Sequence, residues 1–145
     1  MIREATLRDI DHGLLDCLDQ IETPCDRELA AKLFLASRCP GNLQRWVYVD
    51  ELGAILATCS CWYIYHLYRG IEGRIEDLAV HPEAQQRGLG TLILQHATAA
   101  ARAAGAYKIT LSSSVPLAEW YGKKGFECIG YSMRKDCDSD GTPPG

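Results

Sequence analysis

The chain has 145 residues, 47% of them hydrophobic, which excludes a disordered protein and predicts a single folded domain over residues 1–137 with a disordered tail at 138–145. Its 15 basic and 19 acidic residues give a formal net charge of −4, which argues against nucleic acid as a partner. The same charge, with no apolar run of membrane-spanning length, argues against a membrane as a partner.

The seven cysteines are scattered along the chain and never spaced Cys-x-x-Cys. This pattern argues against zinc sites and redox pairs, and we expect no metal cofactor. The first residues of the chain lack the hydrophobic core of a signal peptide. We therefore expect an intracellular protein in a reducing compartment, namely the cytoplasm.

The first half of the chain is predicted to contain three strands and two helices. Hydrophobic periodicity separates helices from strands, and turn residues set their ends. The predicted elements are a strand at 2–6, a helix at 9–21, a helix from Asp26 to the turn at 39–42, hairpin strands at 45–49 and 54–65, and a loop at 66–73. Asp26 is the predicted cap of the second helix, because its carboxylate can accept a bond from the first helical turn.

The second half alternates more regularly between strands and helices. Its predicted elements are a strand at 74–80, a helix at 91–104, a strand at 107–111, a helix at 116–124, and a last strand or pair of strands at 126–135. Strands outnumber helices in the whole chain, and the early strands are joined by a hairpin. This order predicts a mixed α/β sheet with helices on both faces, and not a doubly wound parallel sheet.

A glycine-spaced turn, Gln85-Gln86-Arg87-Gly88-Leu89-Gly90, separates the strand at 74–80 from the helix at 91–104. Such a turn leaves backbone N–H groups unpaired at the positive end of the helix dipole, which predicts a site for the phosphates of a polyanionic cofactor. The turn lacks the lysine of a Walker A loop, and Ile93 replaces the third glycine of a Rossmann fingerprint. A tight turn that needs glycine only for positive φ is the alternative.

Two segments of the chain carry a family resemblance. The first is His81-Pro82-Glu83 followed by Gln85-x-x-Gly88-x-Gly90 at the start of a long helix. The second is residues 118–126, in which Tyr121 precedes Gly125-Phe126. In this order and at this separation, the two segments resemble the landmarks of the GNAT acetyltransferases. The resemblance implies the GNAT acyl-CoA N-acyltransferase fold, with a central, mostly antiparallel sheet and helices on both faces, and acetyl-CoA as co-substrate.

The resemblance also implies how the cofactor is bound. Backbone N–H groups of the glycine turn hold the pyrophosphate of CoA, and Arg87 adds charge at the rim. The edge of the strand before the turn pairs with the amides of the pantetheine arm. The cofactor-binding residues implied in this way are Leu78, Ala79, Val80, Gln85, Gln86, Arg87, Gly88, Leu89, Gly90 and Thr91.

A closer resemblance concerns three further segments. Residues 73–80 are similar to a G-x-I/V-E-D-V-x-V strand, residues 107–111 to a Y-K-I-x-L strand, and Asp11-His12-Gly13 to the start of the same subfamily. This subfamily is the glucosamine-6-phosphate N-acetyltransferases. The resemblance implies conversion of D-glucosamine 6-phosphate to N-acetyl-D-glucosamine 6-phosphate for the biosynthesis of UDP-N-acetylglucosamine.

Acetyl transfer needs a neutral amine, a donor for the carbonyl oxygen and a proton for the leaving thiolate. The resemblance implies that Tyr121 supplies this proton, since a phenol with a pKa of about 10 stays protonated at neutral pH. The alternative is an aromatic ring packed with Trp120. A backbone N–H near Ala79 suits the carbonyl oxygen. The carbonyl of Glu76 and the carboxylate of Asp77 are implied to orient the amine, and as strand neighbours they are expected on opposite faces.

The subfamily carries a basic pair near its C-terminus, on a last strand that is exchanged between two subunits. Arg134 and Lys135 match this pair, so the resemblance implies a homodimer in which they reach the phosphate of the partner's substrate. Thr23 matches a threonine near the phosphate. Ser112 stands where the subfamily has an acidic residue, so it can bond sugar hydroxyls but supplies no charge.

Two alternatives stay open. The chain can be a GNAT enzyme that acetylates another small amine, or a module that binds acyl-CoA without catalysis. The presence of both Asp77 and Tyr121 argues against the second alternative. A covalent cysteine route is disfavoured, because no cysteine falls in either landmark. Direct attack of the amine on the thioester is therefore the expected mechanism.

Overall fold

The computed structural model describes residues 1–37 and 42–137. Contacts between residues divide the chain into two units, Met1–Leu111 and Ser112–Gly145. The described residues of the first unit form a sheet of five strands: β1 (Ile2–Glu4), β2 (Leu43–Val49), β3 (Ile55–His66), β4 (Gly70–Val80) and β5 (Ala106–Leu111). The strands lie in chain order, and every neighbouring pair is antiparallel except β4 and β5, which are parallel. The predicted mixed, mostly antiparallel sheet is confirmed.

Helices cover both faces of this sheet. They are a 3-10 helix at Leu7–His12, α1 (Leu14–Leu18), α2 (Arg27–Ala36), a 3-10 helix at Pro82–Ala84, and α3 (Leu89–Ala103). Val47 of β2 packs in a core cluster with residues of α1 and α2, whereas its neighbour Trp46 contacts His96 of α3 edge-on at 5.4 Å. Because neighbouring residues of a strand point to opposite faces, α1 and α2 lie on one face of the sheet and α3 lies on the other. No helix among the described residues is long and apolar enough to span a bilayer.

Gly73 allows α3 to approach the sheet closely. A Cβ atom at this position would lie 2.9 Å from the Cβ of Ala101 and 3.4 Å from the Sγ of Cys61. Any larger residue would push α3 away from β4, because the cores of proteins are close-packed. Cys59 and Cys61 are fully buried, and they fill the core as small apolar residues.

The second unit contains one helix, α4 (Val115–Gly122), among its described residues. The strand predicted at 126–135 is absent, since residues 126–137 belong to no strand in the structure. The prediction was wrong because alternation along a sequence does not provide the partner backbone that a strand needs. Ile129, Tyr131 and Met133 are 85%, 99% and 94% exposed.

Two predictions for the first unit also need correction. The segment at 66–73 is not a loop, because β3 extends to His66 and β4 begins at Gly70. The helix predicted at 9–21 is two short helices, interrupted at Gly13, where φ is 115°. The capping role of Asp26 is observed, with its Oδ1 accepting from Leu29 N at 2.8 Å. The predicted turn at 39–42 falls mostly outside the described residues, as does the predicted tail at 138–145.

Candidate active site

Strand β4 is irregular at Asp77. Ser60 of β3 pairs with Glu76 and Thr58 pairs with Ala79, so one residue of β3 lies opposite two residues of β4. Asp77 has a left-handed backbone with φ 55°. Such conformations cost about 1–3 kcal/mol in a non-glycine residue and cluster at functional sites. The bulge interrupts the strict alternation that predicted Glu76 and Asp77 on opposite faces.

The carboxyl group of Glu76 is partly buried beside this bulge. Burial, followed by repulsion from Asp77, raises its pKa, and Arg74 acts in the opposite direction. A carboxyl group with a raised pKa accepts a proton more readily than a fully solvated one. Asp77 itself is exposed. The bulge thus presents two acidic side chains in different environments.

Beyond Ile75, the described residues give β4 a partner strand along one edge and none along the other. β5 pairs with β4 from Ile71 to Ile75, whereas β3 pairs with β4 as far as Val80. Within residues 1–37 and 42–137, the other edge of 76–80 has no strand partner. Such an edge offers N–H and C=O groups to an extended ligand. The segment predicted to bind the pantetheine arm lies on this edge.

The loop after β4 has the features of an anion-binding turn. Gln86 and Gly88 have left-handed backbones, with φ of 65° and 77°. Left-handed residues at alternate positions form a concave surface of backbone N–H groups. Gly88 is the N-cap of α3, which has no side-chain cap and no acidic residue in its first turn. The unpaired N–H groups at 89–91 and the positive end of the helix dipole are therefore available to an anion.

Two long side chains fix this loop. Arg87 Nη2 donates to the carbonyl oxygen of Glu83 at 3.3 Å, and Gln85 Nε2 donates to Gln20 Oε1 at 3.1 Å. The second bond connects the loop to the segment after α1. Thr23, three residues beyond Gln20, is exposed between α1 and α2.

Tyr121 lies near the end of α4 in the second unit. Its side chain is 8% exposed and packs edge-on against Trp120 and Phe126, with ring centroids 4.9 and 5.9 Å apart. The N–H of Phe126 also donates to the carbonyl oxygen of Tyr121 at 3.2 Å. These contacts fix the ring. The packed-aromatic alternative and the catalytic role are compatible, because packing holds the phenol in one orientation.

The other predicted acceptor residues of the second unit are exposed. The hydroxyl oxygens of Ser112 and Ser132 lie 3.2 Å apart. Arg134 pairs with Asp136, with 2.6 Å between Nε and Oδ1. Lys135 lies between these two residues and is exposed as well. The predicted residues that the structure brings together are those of β4 and its following loop.

A polar cluster around Glu72, in the first unit, is not among the sites predicted from the sequence. Glu72 is only 2% exposed. Its carboxylate oxygens lie within 3.5 Å of donor atoms of four side chains, those of His66, Arg74, Lys108 and Thr110. The loop predicted at 66–73 includes Glu72. The prediction therefore does not place Glu72 on one strand with Arg74 and Glu76, although the three residues alternate in the sequence. That alternation, typical of one face of a strand, is the signal that predicts the cluster.

The profile of the acetyltransferase (GNAT) family matches residues 8–126, which is more than half of the chain. The chain belongs to the GNAT acetyltransferase family. The match includes the β4 bulge, the glycine loop and α4. It confirms the family that the two sequence landmarks predict.

Curated GNAT relatives share a name that states their activity. "Glucosamine 6-phosphate N-acetyltransferase 1" of Oryza sativa subsp. japonica is 29% identical over 131 residues, which cover 86% of this chain and 79% of the relative. "Probable glucosamine 6-phosphate N-acetyltransferase 2" of the same organism is 34% identical over 82 residues, or 54% of this chain. The match spans about half of that relative, 49% of its length.

A solved structure with the same fold covers nearly the whole chain. The glucosamine-6-phosphate N-acetyltransferase of Arabidopsis thaliana superposes with a TM-score of 0.85 at 26% identity. The superposition covers 95% of this chain and 98% of the other. The GNAT fold predicted from the sequence is therefore confirmed.

Proposed function

We propose that the chain is an acetyl-CoA-dependent N-acetyltransferase whose acceptor is D-glucosamine 6-phosphate. The observation that carries the proposal is the continuity of β4: its acidic bulge, its unpaired edge and the anion-binding loop follow one another along 76–91. An acyl-CoA bound along this edge brings its thioester toward the bulge. The names of the curated relatives support the choice of acceptor.

The cofactor is held mainly by backbone. The pyrophosphate accepts hydrogen bonds from N–H groups of residues 86–91 at the start of α3, and the pantetheine amides pair with the unpaired edge at 78–80. Arg87 contributes positive charge at the rim of the loop. Backbone recognition explains how a chain of net charge −4 binds a polyanion without a strongly basic surface.

Acetyl transfer then proceeds by direct attack. The lone pair of the neutral amine forms a C–N bond to the thioester carbonyl carbon, and the C–S bond breaks. A backbone N–H near Ala79 stabilises the oxyanion. Asp77 and the carbonyl oxygen of Glu76 orient the amine, and the Asp77 carboxylate accepts its proton, directly or through water. Tyr121 donates a proton to the CoA thiolate, so the products are an amide and a neutral thiol.

The acceptor is tested by a panel of amines with acetyl-CoA, with release of the CoA thiol as readout. We expect glucosamine 6-phosphate to have a kcat/KM at least about ten-fold above that of glucosamine, because the phosphate adds charged contacts. Faster turnover of a different amine, or equal turnover of glucosamine with and without the phosphate, would show that glucosamine 6-phosphate is not the acceptor. Binding of acetyl-CoA without thiol release for any amine would favour the non-catalytic module.

We further propose that the chain works as a homodimer in the biosynthesis of UDP-N-acetylglucosamine. The alternate residues Ile129, Tyr131 and Met133 expose apolar surface along one extended segment, and a second copy would cover it. Light scattering should give about twice the chain mass of 16.0 kDa. The double variant Tyr131→Ser/Met133→Ser should shift the protein toward monomer. A wild-type monomer at assay concentration would exclude the dimer.

A further inference from the structure

Glu72 is a buried carboxylate held by more donors than its charge requires. Its Oε1 lies 3.0 Å from His66 Nε2 and 3.5 Å from Lys108 Nζ. Its Oε2 accepts from Arg74 Nη2 at 2.9 Å, from Arg74 Nε at 3.1 Å and from Thr110 Oγ1 at 2.8 Å. The Glu72 side chain is 3% exposed. Its oxygens are therefore fully occupied, so Glu72 orients its neighbours and is not itself a ligand.

The cluster carries excess positive charge. Arg74 and Lys108 give two positive charges against the single negative charge of Glu72, and His66 adds a third when it is protonated. Arg69 also lies close, 4.9 Å from the ring centroid of Tyr107, over which Lys108 lies at 5.4 Å. One arginine would neutralise a buried carboxylate. Structural pairing alone therefore does not explain the second cation.

The two cations remain accessible. The side chains of Arg74 and Lys108 are 47% and 40% exposed. Arg74 contacts Glu72 through Nε and Nη2, so the N–H groups of Nη1 take no part in this contact. An ammonium group has three donors, and Lys108 directs part of them to Glu72 and to the Tyr107 hydroxyl. Both heads can therefore bind a further anion.

The cluster lies beside the acidic bulge on the same strand. Arg74 and Glu76 are two residues apart on β4, which corresponds to about 7 Å along a strand and to the same face. Arg74 influences Glu76 electrostatically, because it opposes the rise in the Glu76 pKa. When the amine of an acceptor lies at the bulge, a group on the opposite side of its sugar ring can therefore reach Arg74.

We propose that Arg74 and Lys108, aligned by the buried carboxylate of Glu72, bind the phosphomonoester group of the acceptor from within the same chain. This inference rests on the proposed acceptor and assigns its phosphate to a site other than Arg134 and Lys135. A guanidinium fork with a neighbouring ammonium group matches the geometry and charge of a phosphate dianion. Glu72 is then a positioning residue, since it acts through the two cations.

The test compares kcat/KM for glucosamine 6-phosphate and for glucosamine in single variants. Arg74→Gln and Lys108→Gln should each lower the preference for the phosphorylated acceptor by about ten-fold, chiefly through its KM. Lys108→Arg should retain most of the preference. Lys32→Gln, which removes an exposed charge on α2, is the matched control. An unchanged preference in both cluster variants would overturn the proposal.

Glu72→Gln separates positioning from simple charge. The substitution adds one positive charge to the cluster, so a purely long-range field would increase the preference for phosphate. If Glu72 instead orients Arg74 and Lys108, its loss should decrease the preference for the phosphorylated acceptor, and the proposal requires this decrease. If Glu72→Gln does not fold, the Arg74 and Lys108 variants alone test the phosphate site. A preference abolished in Arg134→Gln/Lys135→Gln and intact in the cluster variants would assign the phosphate to the C-terminal pair.

A separate measurement distinguishes failure of this site from failure of the proposed acceptor. A wild-type protein that shows no preference for the phosphorylated sugar would contradict the acceptor. The site is then tested alone by titrating inorganic phosphate and following the amide signals of β4 and β5 by NMR. Shifts of these signals in the wild type that are lost in Lys108→Gln support an anion site. The absence of shifts in the wild type would overturn it.

Discussion

Replacing Tyr121 by phenylalanine should lower kcat about ten- to a thousand-fold and leave the affinity for acetyl-CoA nearly unchanged. The substitution removes one hydroxyl group and keeps the ring. The edge-on contacts with Trp120 and Phe126 involve only the ring, so both contacts are retained. The loss should therefore fall on protonation of the leaving thiolate. Pre-steady-state release of CoA thiol, with acetyl-CoA binding by calorimetry, separates chemistry from binding.

Tyr65→Phe is a matched control for this experiment. Tyr65 is 59% exposed on β3, and the same hydroxyl is removed there without a proposed role in the reaction. We expect its kcat to equal that of the wild type. An unaltered kcat in Tyr121→Phe as well would remove Tyr121 from the mechanism and favour a purely structural role.

Replacing Asp77 by asparagine should lower kcat/KM for the amine about a hundred- to ten-thousand-fold. Asparagine is the appropriate substitution, because it tolerates the left-handed conformation that Asp77 adopts with φ 55°. The bulge should therefore persist while the negative charge is lost. Without the carboxylate, the amine is less well oriented and loses its proton less readily.

The pH dependence of kcat/KM gives a second readout for Asp77. If the carboxylate helps to deprotonate the amine, Asp77→Asn should respond more steeply to rising pH, because neutral amine must then come from solution. Asp19→Asn, at an exposed position after α1, should behave as the wild type. Wild-type kinetics in Asp77→Asn would assign the orientation of the amine to backbone groups alone.

The glycine loop could be predicted from sequence because its signals are local. Its glycines, the preceding Pro82 and the following helix all lie within a few residues. The left-handed conformation of Gly88 is one that glycine adopts without the steric cost that other residues would have. The fold could be predicted as well, since strand order follows from hairpins and short connections.

The bulge at Asp77 and the cluster at Glu72 depend on other parts of the chain. A bulge arises when two paired strands have different numbers of residues between the same two pairs, so the sequence of β4 alone cannot predict it. Glu72 meets Lys108 only because β5 pairs in parallel with β4 after the whole of α3. The strand predicted at 126–135 was wrong for the same reason. Alternation of polar and apolar residues does not determine which other strand, if any, the segment pairs with.

In the proposed function, backbone N–H groups at the start of α3 bind the pyrophosphate of acetyl-CoA. Gly88 and Gly53 offer a matched pair, because both have left-handed backbones, with φ of 77° and 84°, and a Cβ at either would meet no atom within 4 Å. Alanine at either position should therefore cost a similar free energy of folding, about 1–2 kcal/mol.

Calorimetric binding of acetyl-CoA to Gly88→Ala and Gly53→Ala tests this claim most directly. We predict that Gly88→Ala weakens binding about ten-fold or more, because the new methyl group occupies the space of the pyrophosphate and disturbs the N–H groups around it. Gly53→Ala should bind as the wild type does. Equal, undiminished affinity in both variants would contradict the claim that this loop holds the cofactor.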